Sequence, residues 1–359
     1  MPGTSPKPIT CDVFVNIIDN FGDAGVAWRL ASELAAHGLR LRLITDDVKP
    51  FIFIAGASGK TPQTIESVTL ITKKEIETAP NVIPAEVVIE TFACRLPETY
   101  EAAIRKLGLS CYRINLDYFS CETWAQDCNG LPSIDPETGH KKINYFPGLG
   151  IKNAPVIIES DYLNRKRAFE LSDFEARFKC RAPFVSFFGY ETANLDSVAK
   201  ALNALSSLTI LLAPGRASEG LCRKLHARTV TLPYCAQKAF DERLWASDVN
   251  FVRGEDSCVR AVLAGRPFLW NIYPTEDFAH KRKLDAFLEA ARSAFDSDAD
   301  FLLWKEASYL LNGFEATENA LCDFLQRAPL QRAHFERLAS QIMAKGSFVE
   351  KLAQDVKNR

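Results

Sequence analysis

Apolar positions change their period several times along the chain, and each change marks an element. Cys11 to Ile18 reads CDVFVNII, a nearly continuous apolar run of strand length. It stops at Asp19-Asn20-Phe21-Gly22-Asp23, after which Val26, Ala27, Leu30, Ala31, Leu34 and Ala35 recur at helical spacing until Gly38. Leu39 to Ile44 then alternates apolar and basic residues as a second strand. Strand, helix and strand in that order make a βαβ unit. Its first turn lies at the carboxyl end of the first strand, where open α/β sheets bind ligands. Val87 to Phe92 and Tyr112 to Leu116 are further apolar runs of strand length, whereas Gly130 to Lys142 holds two prolines and no core pattern, predicting a mobile loop.

Arg165 to Phe178 has helical spacing, and Arg181-Ala182-Pro183 interrupts it, which predicts a crossing into a second domain. A new strand series follows: Phe184 to Phe188, Leu208 to Ala213, Thr229 to Leu232, Val249 to Val252 and Phe268 to Ile272. Glu255 to Ala264 is helical, ended by Gly265 and Pro267, and helical spacing dominates from Lys281 onward. The expected organisation is a flexible tail over residues 1–10, an N-terminal Rossmann-like domain over 11–180, a C-terminal Rossmann-like domain over 181–330 and a helical tail over 331–359. Whether that tail packs back on the first domain stays open. The fold class is α/β, with two Rossmann-like domains facing across a cleft. Sugar-nucleotide transferases, some epimerases and many binding proteins share that plan, so it does not choose a function.

Composition narrows the classes. A chain of 359 residues exceeds what one hydrophobic core usually serves, and 47% hydrophobic with 25% charged residues is ordinary for a globular protein. A net charge of −2 argues against nucleic-acid binding by a basic surface. Arg165-Lys166-Arg167 and Lys281-Arg282-Lys283 are expected to be solvated faces. No apolar run is long enough to span a bilayer, and residues 1–10 lack the apolar centre of a signal peptide, so a cytoplasmic protein without a membrane partner is expected. The ten cysteines are scattered without the spacing of a zinc or redox motif and are expected to be buried, reduced thiols; five dispersed histidines offer no metal site.

The candidate chemistry sits at two turns. Asp19 and Asp23 flank Asn20-Phe21-Gly22, so both carboxylates can be aimed into one site while Gly22 lets the backbone approach a ligand. An ordinary aspartate helix cap is the alternative for either acid. The second turn, Arg253-Gly254-Glu255-Asp256-Ser257, opens a helix whose free N–H groups and dipole suit a diphosphate. Ser257 can add a hydrogen bond and Arg253 a charge, whereas Glu255 is an extra acid that a cap does not explain. Phe188 and Tyr190 follow one strand, and Tyr234 with Gln237 follows another; rings there either fill the core or stack on a base. A dinucleotide fingerprint G-x-G-x-x-G is absent, which disfavours a dehydrogenase.

These motifs are recognisable together. Ile18 to Ala31, IDNFGDAGVAWRLA, resembles the N-terminal signature of the bacterial elongation factor P arginine rhamnosyltransferases, the EarP family. Thr45-Asp46-Asp47, Glu90-Thr91-Phe92-Ala93-Cys94, Asn115-Leu116-Asp117-Tyr118-Phe119-Ser120, Phe188-Gly189-Tyr190, Arg253 to Ser257, Trp270-Asn271-Ile272-Tyr273-Pro274 and Leu311-Asn312-Gly313 follow in the family's order. The resemblance implies a GT-B fold and metal-independent, inverting transfer of L-rhamnose from dTDP-β-L-rhamnose to one arginine of elongation factor P. It implies Asp19, Asp23 and Glu255 as essential acids, and donor contacts at Phe188, Tyr190, Tyr234, Gln237, Asp256 and Ser257. Asp117 stands where the family has Glu, Tyr234 where it has Phe, and residues 148–159 lack its glycine-rich pattern.

Arginine is protonated at any ordinary pH, so a carboxylate pair that grips the guanidinium and takes a proton as the C–N bond forms suits it as an acceptor. Asp23 is the preferred base and Asp19 its partner, with the roles exchangeable. The alternatives are another GT-B transferase with a small-molecule or lipid acceptor, and a non-catalytic binding protein on that scaffold.

Overall fold

The computed structural model describes residues 7–107, 111–137 and 139–359. Of the tail expected over 1–10, residues 1–6 lie outside the described residues, and Thr10 already belongs to a strand. The chain divides into two compact units, one running to Ser160 and including Gly346–Arg359, the other comprising Asp161–Lys345.

Among the described residues the first unit holds strands β1 (Thr10–Val15), β2 (Arg40–Thr45), β3 (Gln63–Ile65), β4 (Val68–Thr72), β5 (Val87–Thr91), β6 (Tyr112–Leu116), β7 (Pro132–Ile134) and β8 (Lys141–Tyr145). Their spatial order is β3-β4-β2-β1-β5-β6-β8-β7, with β3 and β7 antiparallel at the edges and the rest parallel. The chain starts at the centre, builds outward through β2 and β4, then crosses to β5 on the other side of β1. β1 and β5 are therefore the pair at which strand order reverses, the place where open α/β sheets bind their ligands. Helix Asn20–Ala36 covers one face, burying Ala24, Ala27, Trp28, Leu30, Ala31 and Leu34 against Val13, Val15, Leu41 and Leu43. The C-terminal helix Phe348–Lys357 inserts Phe348, Val349, Leu352, Ala353 and Val356 into the same core. At about 1.5–3 kcal/mol per fully buried large apolar side chain, this last helix is an integral part of the first unit.

The second unit holds β9 (Phe184–Phe187), β10 (Thr209–Leu212), β11 (Arg228–Thr231), β12 (Val249–Arg253) and β13 (Phe268–Asn271), all parallel in the order β11-β10-β9-β12-β13. Order reverses between β9 and β12, which place Phe188-Gly189-Tyr190 and Arg253-Gly254-Glu255 at neighbouring carboxyl ends.

Several expectations need correction. The units part after Ser160, not after Cys180, because the segment from Asp161 packs on the second sheet. Phe174 and Cys180 join Phe184 and Leu211 in one cluster, and Trp245 Nε1–H donates to the Tyr162 hydroxyl at 3.0 Å. The tail likewise divides at Gly346, not at residue 331, since helix Ala320–Ala344 belongs to the second unit. Gly130 to Lys142, expected as a loop, contributes β7 and the start of β8. All three β7 residues are exposed, so this edge hairpin carries no apolar period to read. The first strand ends at Val15 rather than Ile18, because the N–H groups of Ile17 and Ile18 are taken by the carboxylates of Asp46 and Asp23, at 2.9 and 2.7 Å. Arg165 is no solvated cation: its guanidinium bonds the buried Asp241, and Lys166 Nζ donates to the carbonyls of Leu263 and Ala264. Burial pushes the Lys166 ammonium down to about 8. Cys128 is exposed, and all ten cysteines are thiols rather than disulfides. No helix among the described residues is long and apolar enough to cross a membrane.

Candidate active site

The first turn is tighter than its sequence suggests. Helix Asn20–Ala36 begins at Asn20, so Asn20-Phe21-Gly22-Asp23 is its opening turn rather than a loop before it. Asp19 occupies the cap position, yet its side chain makes no capping bond. The Asp19 carboxylate folds over Gly22, where an added Cβ would lie 2.8 Å from Oδ2. Asp23, only 2% exposed, points back at the chain entering the helix. Its Oδ2 accepts the N–H groups of Ile18 and Asp19 at 2.7 and 2.8 Å, and its Oδ1 accepts the Tyr118 hydroxyl at 3.1 Å. Burial raises the proton affinity of this carboxyl and nearby Asp19 adds to that, while the three donors oppose it; the balance lies above the ordinary carboxylate value. Phe21 packs edge-on against Phe53, with centroids 6.1 Å apart.

A direct prediction follows from Gly22. Its backbone is helical, so Ala is tolerated there and improves helix propensity. The new methyl group must displace the Asp19 carboxylate without changing any charge. Gly22→Ala is expected to lower turnover about tenfold while the melting temperature holds or rises, as read by kinetics beside thermal denaturation. Unaltered turnover would mean that the position of Asp19 is unimportant.

In the second unit, Gly254 adopts φ 65° and swings the chain from β12 into helix Gly254–Ala264. That places Glu255, Asp256 and the buried Ser257 in the first turn, beside N–H groups without intrahelical acceptors. The Arg253 guanidinium lies over the rings of Phe188 and Tyr190, 4.5 and 4.7 Å from their centroids. Two aromatic faces thus hold one cation rigidly at the reversal point of the sheet. The neighbouring backbone is braced from β13: Tyr190 N–H donates to Asn271 Oδ1 at 2.7 Å, and Asn312 Oδ1 accepts from Asn271 Nδ2 and from Ile272 N–H, both at 3.0 Å. A cavity of about 220 Å³ opens here, lined by Gly189, Tyr190, Arg216, Ser218, Arg253 and Tyr273 among others. Phe188, Glu255, Asp256 and Ser257 lie outside that lining, as do Tyr234, half exposed, and Gln237, the first residue of helix Gln237–Ala246.

Glu255 has a structural partner that its sequence context hides. Lys283 Nζ sits 2.6 Å from Glu255 Oε1, with both side chains mostly buried, so Lys283 is not part of a solvated face. Tyr118, Lys283, Asn271 and Tyr273 complete the two turns without having stood out as site residues. Tyr118, Asn271 and Tyr273 belong to the sequence motifs, whereas nothing in the local string marks Lys283. Among the described residues no three His, Cys, Asp or Glu side chains converge as metal ligands.

Comparison with known proteins identifies the family. The family model for elongation factor P (EF-P) rhamnosyltransferase EarP matches residues 11–357. A protein-arginine rhamnosyltransferase of Pseudomonas putida KT2440 is 38% identical over 320 residues, covering 82% of this chain and 84% of the relative. That of Pseudomonas aeruginosa PAO1 is 33% identical over 353 residues, covering 88% and 92%. In fold, the chain resembles the structure solved for EarP-mediated arginine glycosylation of translation elongation factor EF-P, with a TM-score of 0.65 at 24% identity over 98% and 99% of the two chains. MurG of Acinetobacter baumannii gives a TM-score of 0.51 at 12% identity over 98% and 100%. The fold is of the GT-B glycosyltransferase type, built from two Rossmann-like units. With nearly the whole chain matched by its model and relatives above 30% identity across most of their length, this chain belongs to the EarP family of elongation factor P rhamnosyltransferases.

Proposed function

We propose that the protein transfers L-rhamnose from dTDP-β-L-rhamnose to one arginine side chain of elongation factor P, with inversion at the anomeric carbon and without a metal ion. An acceptor that serves the ribosome makes the reaction cytoplasmic. The observation that carries the acceptor half is the acid pair Asp19 and Asp23 at the reversal point of the first sheet, one of them buried with a raised proton affinity. Asp19 grips the acceptor guanidinium and spreads its charge. As a terminal guanidinium nitrogen attacks C1 of the sugar, its proton passes to Asp23. The C1–O bond breaks with its electron pair leaving on dTDP, and Asp23 later returns its proton to solvent.

The donor half belongs to the second unit. The N–H groups opening helix Gly254–Ala264 and the Ser257 hydroxyl receive the charge that grows on the diphosphate. The Arg253 guanidinium, fixed between Phe188 and Tyr190, adds a positive charge, and Tyr234 with Gln237 contacts the base end. Glu255, held by Lys283, orients the sugar rather than the diphosphate, which it would repel.

The test is the linkage formed. Elongation factor P is treated with the protein and dTDP-β-L-rhamnose, digested, and the glycopeptide examined by NMR for its one-bond C1–H1 coupling. An α-linked rhamnose on a single arginine is expected. A β linkage would remove the inverting mechanism, and sugar on another residue type would remove the acid-pair account.

A further inference from the structure

Two motifs of the first unit, Glu90-Thr91-Phe92-Ala93-Cys94 and Asn115-Leu116-Asp117-Tyr118-Phe119-Ser120, have no part in the reaction just described. They run from the ends of β5 and β6 into the loops beyond, and the structure ties them to one another. Phe92 and Ala93 both adopt left-handed backbone, φ 56° and 51°, a conformation uncommon for residues with a side chain and rarer still in succession. Ala93 N–H donates to Asn115 Oδ1 at 3.0 Å, and Asn115 Nδ2 donates to Asp117 Oδ2 at 3.2 Å. Asp117 Oδ1 in turn accepts the Tyr118 N–H at 2.8 Å. The turn brings the Phe92 ring flat against Tyr118, centroids 4.2 Å apart with an interplanar angle of 11°. Ring and backbone of Tyr118 are thereby fixed, and its hydroxyl reaches the buried Asp23 carboxylate.

We propose that Tyr118 is a positioning residue for the transfer, fixing the orientation and charge of the Asp23 carboxylate through its 3.1 Å hydrogen bond to Oδ1. The inference rests on the reading of Asp23 as the base. Two backbone donors hold Oδ2, so the tyrosine is what sets the rotation of Oδ1, the oxygen left to meet the acceptor. A hydroxyl donated to a carboxylate favours its ionised form. Asp19, on the chain entering the helix, raises the proton affinity of Asp23 and the Tyr118 hydrogen bond lowers it, while Asp46 binds the adjacent Ile17 N–H. Of these, Tyr118 alone favours the charge on Asp23. The strained Phe92-Ala93 turn is then explained as the support for the Tyr118 ring.

Tyr118→Phe keeps the ring and its stack on Phe92 and deletes the donor. The decisive readout is the carbon-13 titration of the Asp23 carboxyl in the isolated protein, its signal assigned by its loss in Asp23→Asn. The midpoint is expected to rise by about one pH unit in Tyr118→Phe. 3-Fluorotyrosine at position 118, a stronger donor, is expected to move it the other way. In the transfer assay kcat is expected to fall about tenfold, with its acidic limb shifted upward and the donor KM within about twofold of wild type. An unchanged midpoint in both variants overturns the proposal. If the titration moves but transfer is unaffected, Tyr118 tunes Asp23 and it is the assignment of Asp23 as base that fails.

Discussion

Asp23→Asn is expected to abolish transfer while leaving the protein at least as stable as wild type at neutral pH. Asn fits the site without a lost bond. Its oxygen takes the place of Oδ2 and accepts the Ile18 and Asp19 N–H groups, and its amide faces the Tyr118 oxygen, whose hydroxyl turns to accept. What is lost is the base, and a loss of about 10²–10⁴-fold in turnover is expected from that alone. The stability effect has a definite sign. A carboxyl with a raised folded value keeps its proton in the native state over a range where the unfolded chain has already lost it. Stability therefore falls as pH rises from the ordinary value of 3.8 through the raised folded value, and the deficit persists above that window. Asn has no such window. Melting temperatures of the two proteins should converge in acid and separate as pH rises, the variant higher. A variant less stable at neutral pH would show that the Asp23 charge supports the fold and would weaken its assignment as a base under desolvation.

The largest stability effect is expected at a residue outside both turns. Asp241 and Arg260 are each only 1% exposed and form two parallel bonds at 2.8 Å, and Arg165 approaches the same carboxylate at 3.2 Å. Arg260 also lies over the Tyr162 ring, 4.5 Å from its centroid. Removing one member of a buried pair leaves the other charged and desolvated, which costs about 3–5 kcal/mol. Asp241→Ala removes the carboxylate shared by Arg260 and Arg165, of which Arg165 keeps Asp161 at 3.0 Å, and a fall in melting temperature on the order of 10 °C is expected. The functional consequence is separate. Asp241 lies on helix Gln237–Ala246 and Arg260 on helix Gly254–Ala264, whose first turns carry Gln237 and Asp256-Ser257. Whatever Asp241→Ala folds should show a raised donor KM more than a lowered kcat. A shift of only one or two degrees would mean that water reaches this pair and that it does not hold the two helices together.

How much of this was legible depends on what signal each feature leaves in the chain. The central parallel strands are buried on both faces and stand out as apolar runs, so β1, β5, β9 and β12 and the turns after them could be located. Strands toward the margins of the sheet leave no such trace. β7 is wholly exposed, and β4 reads VTLIT, too short and too mixed to separate from a loop. The true passage between units was hidden because Arg181-Ala182-Pro183 looks like a linker, whereas Ser160-Asp161 does not. Only the packing of Tyr162 and Phe174 against the second sheet reveals the difference. Charge runs misled for a related reason: Arg165, Lys166 and Lys283 each meet a carboxylate or a helix end brought from far along the chain. Tyr118 sits 95 positions from Asp23, and no local pattern couples them.

Intact mass of elongation factor P, after incubation with this protein and dTDP-β-L-rhamnose in the presence of a chelator, tests the central claim most directly. The account predicts a gain of one deoxyhexose, mapped by fragmentation to a single arginine and absent with Asp23→Asn. An unchanged mass with a factor that a related rhamnosyltransferase does modify would contradict it.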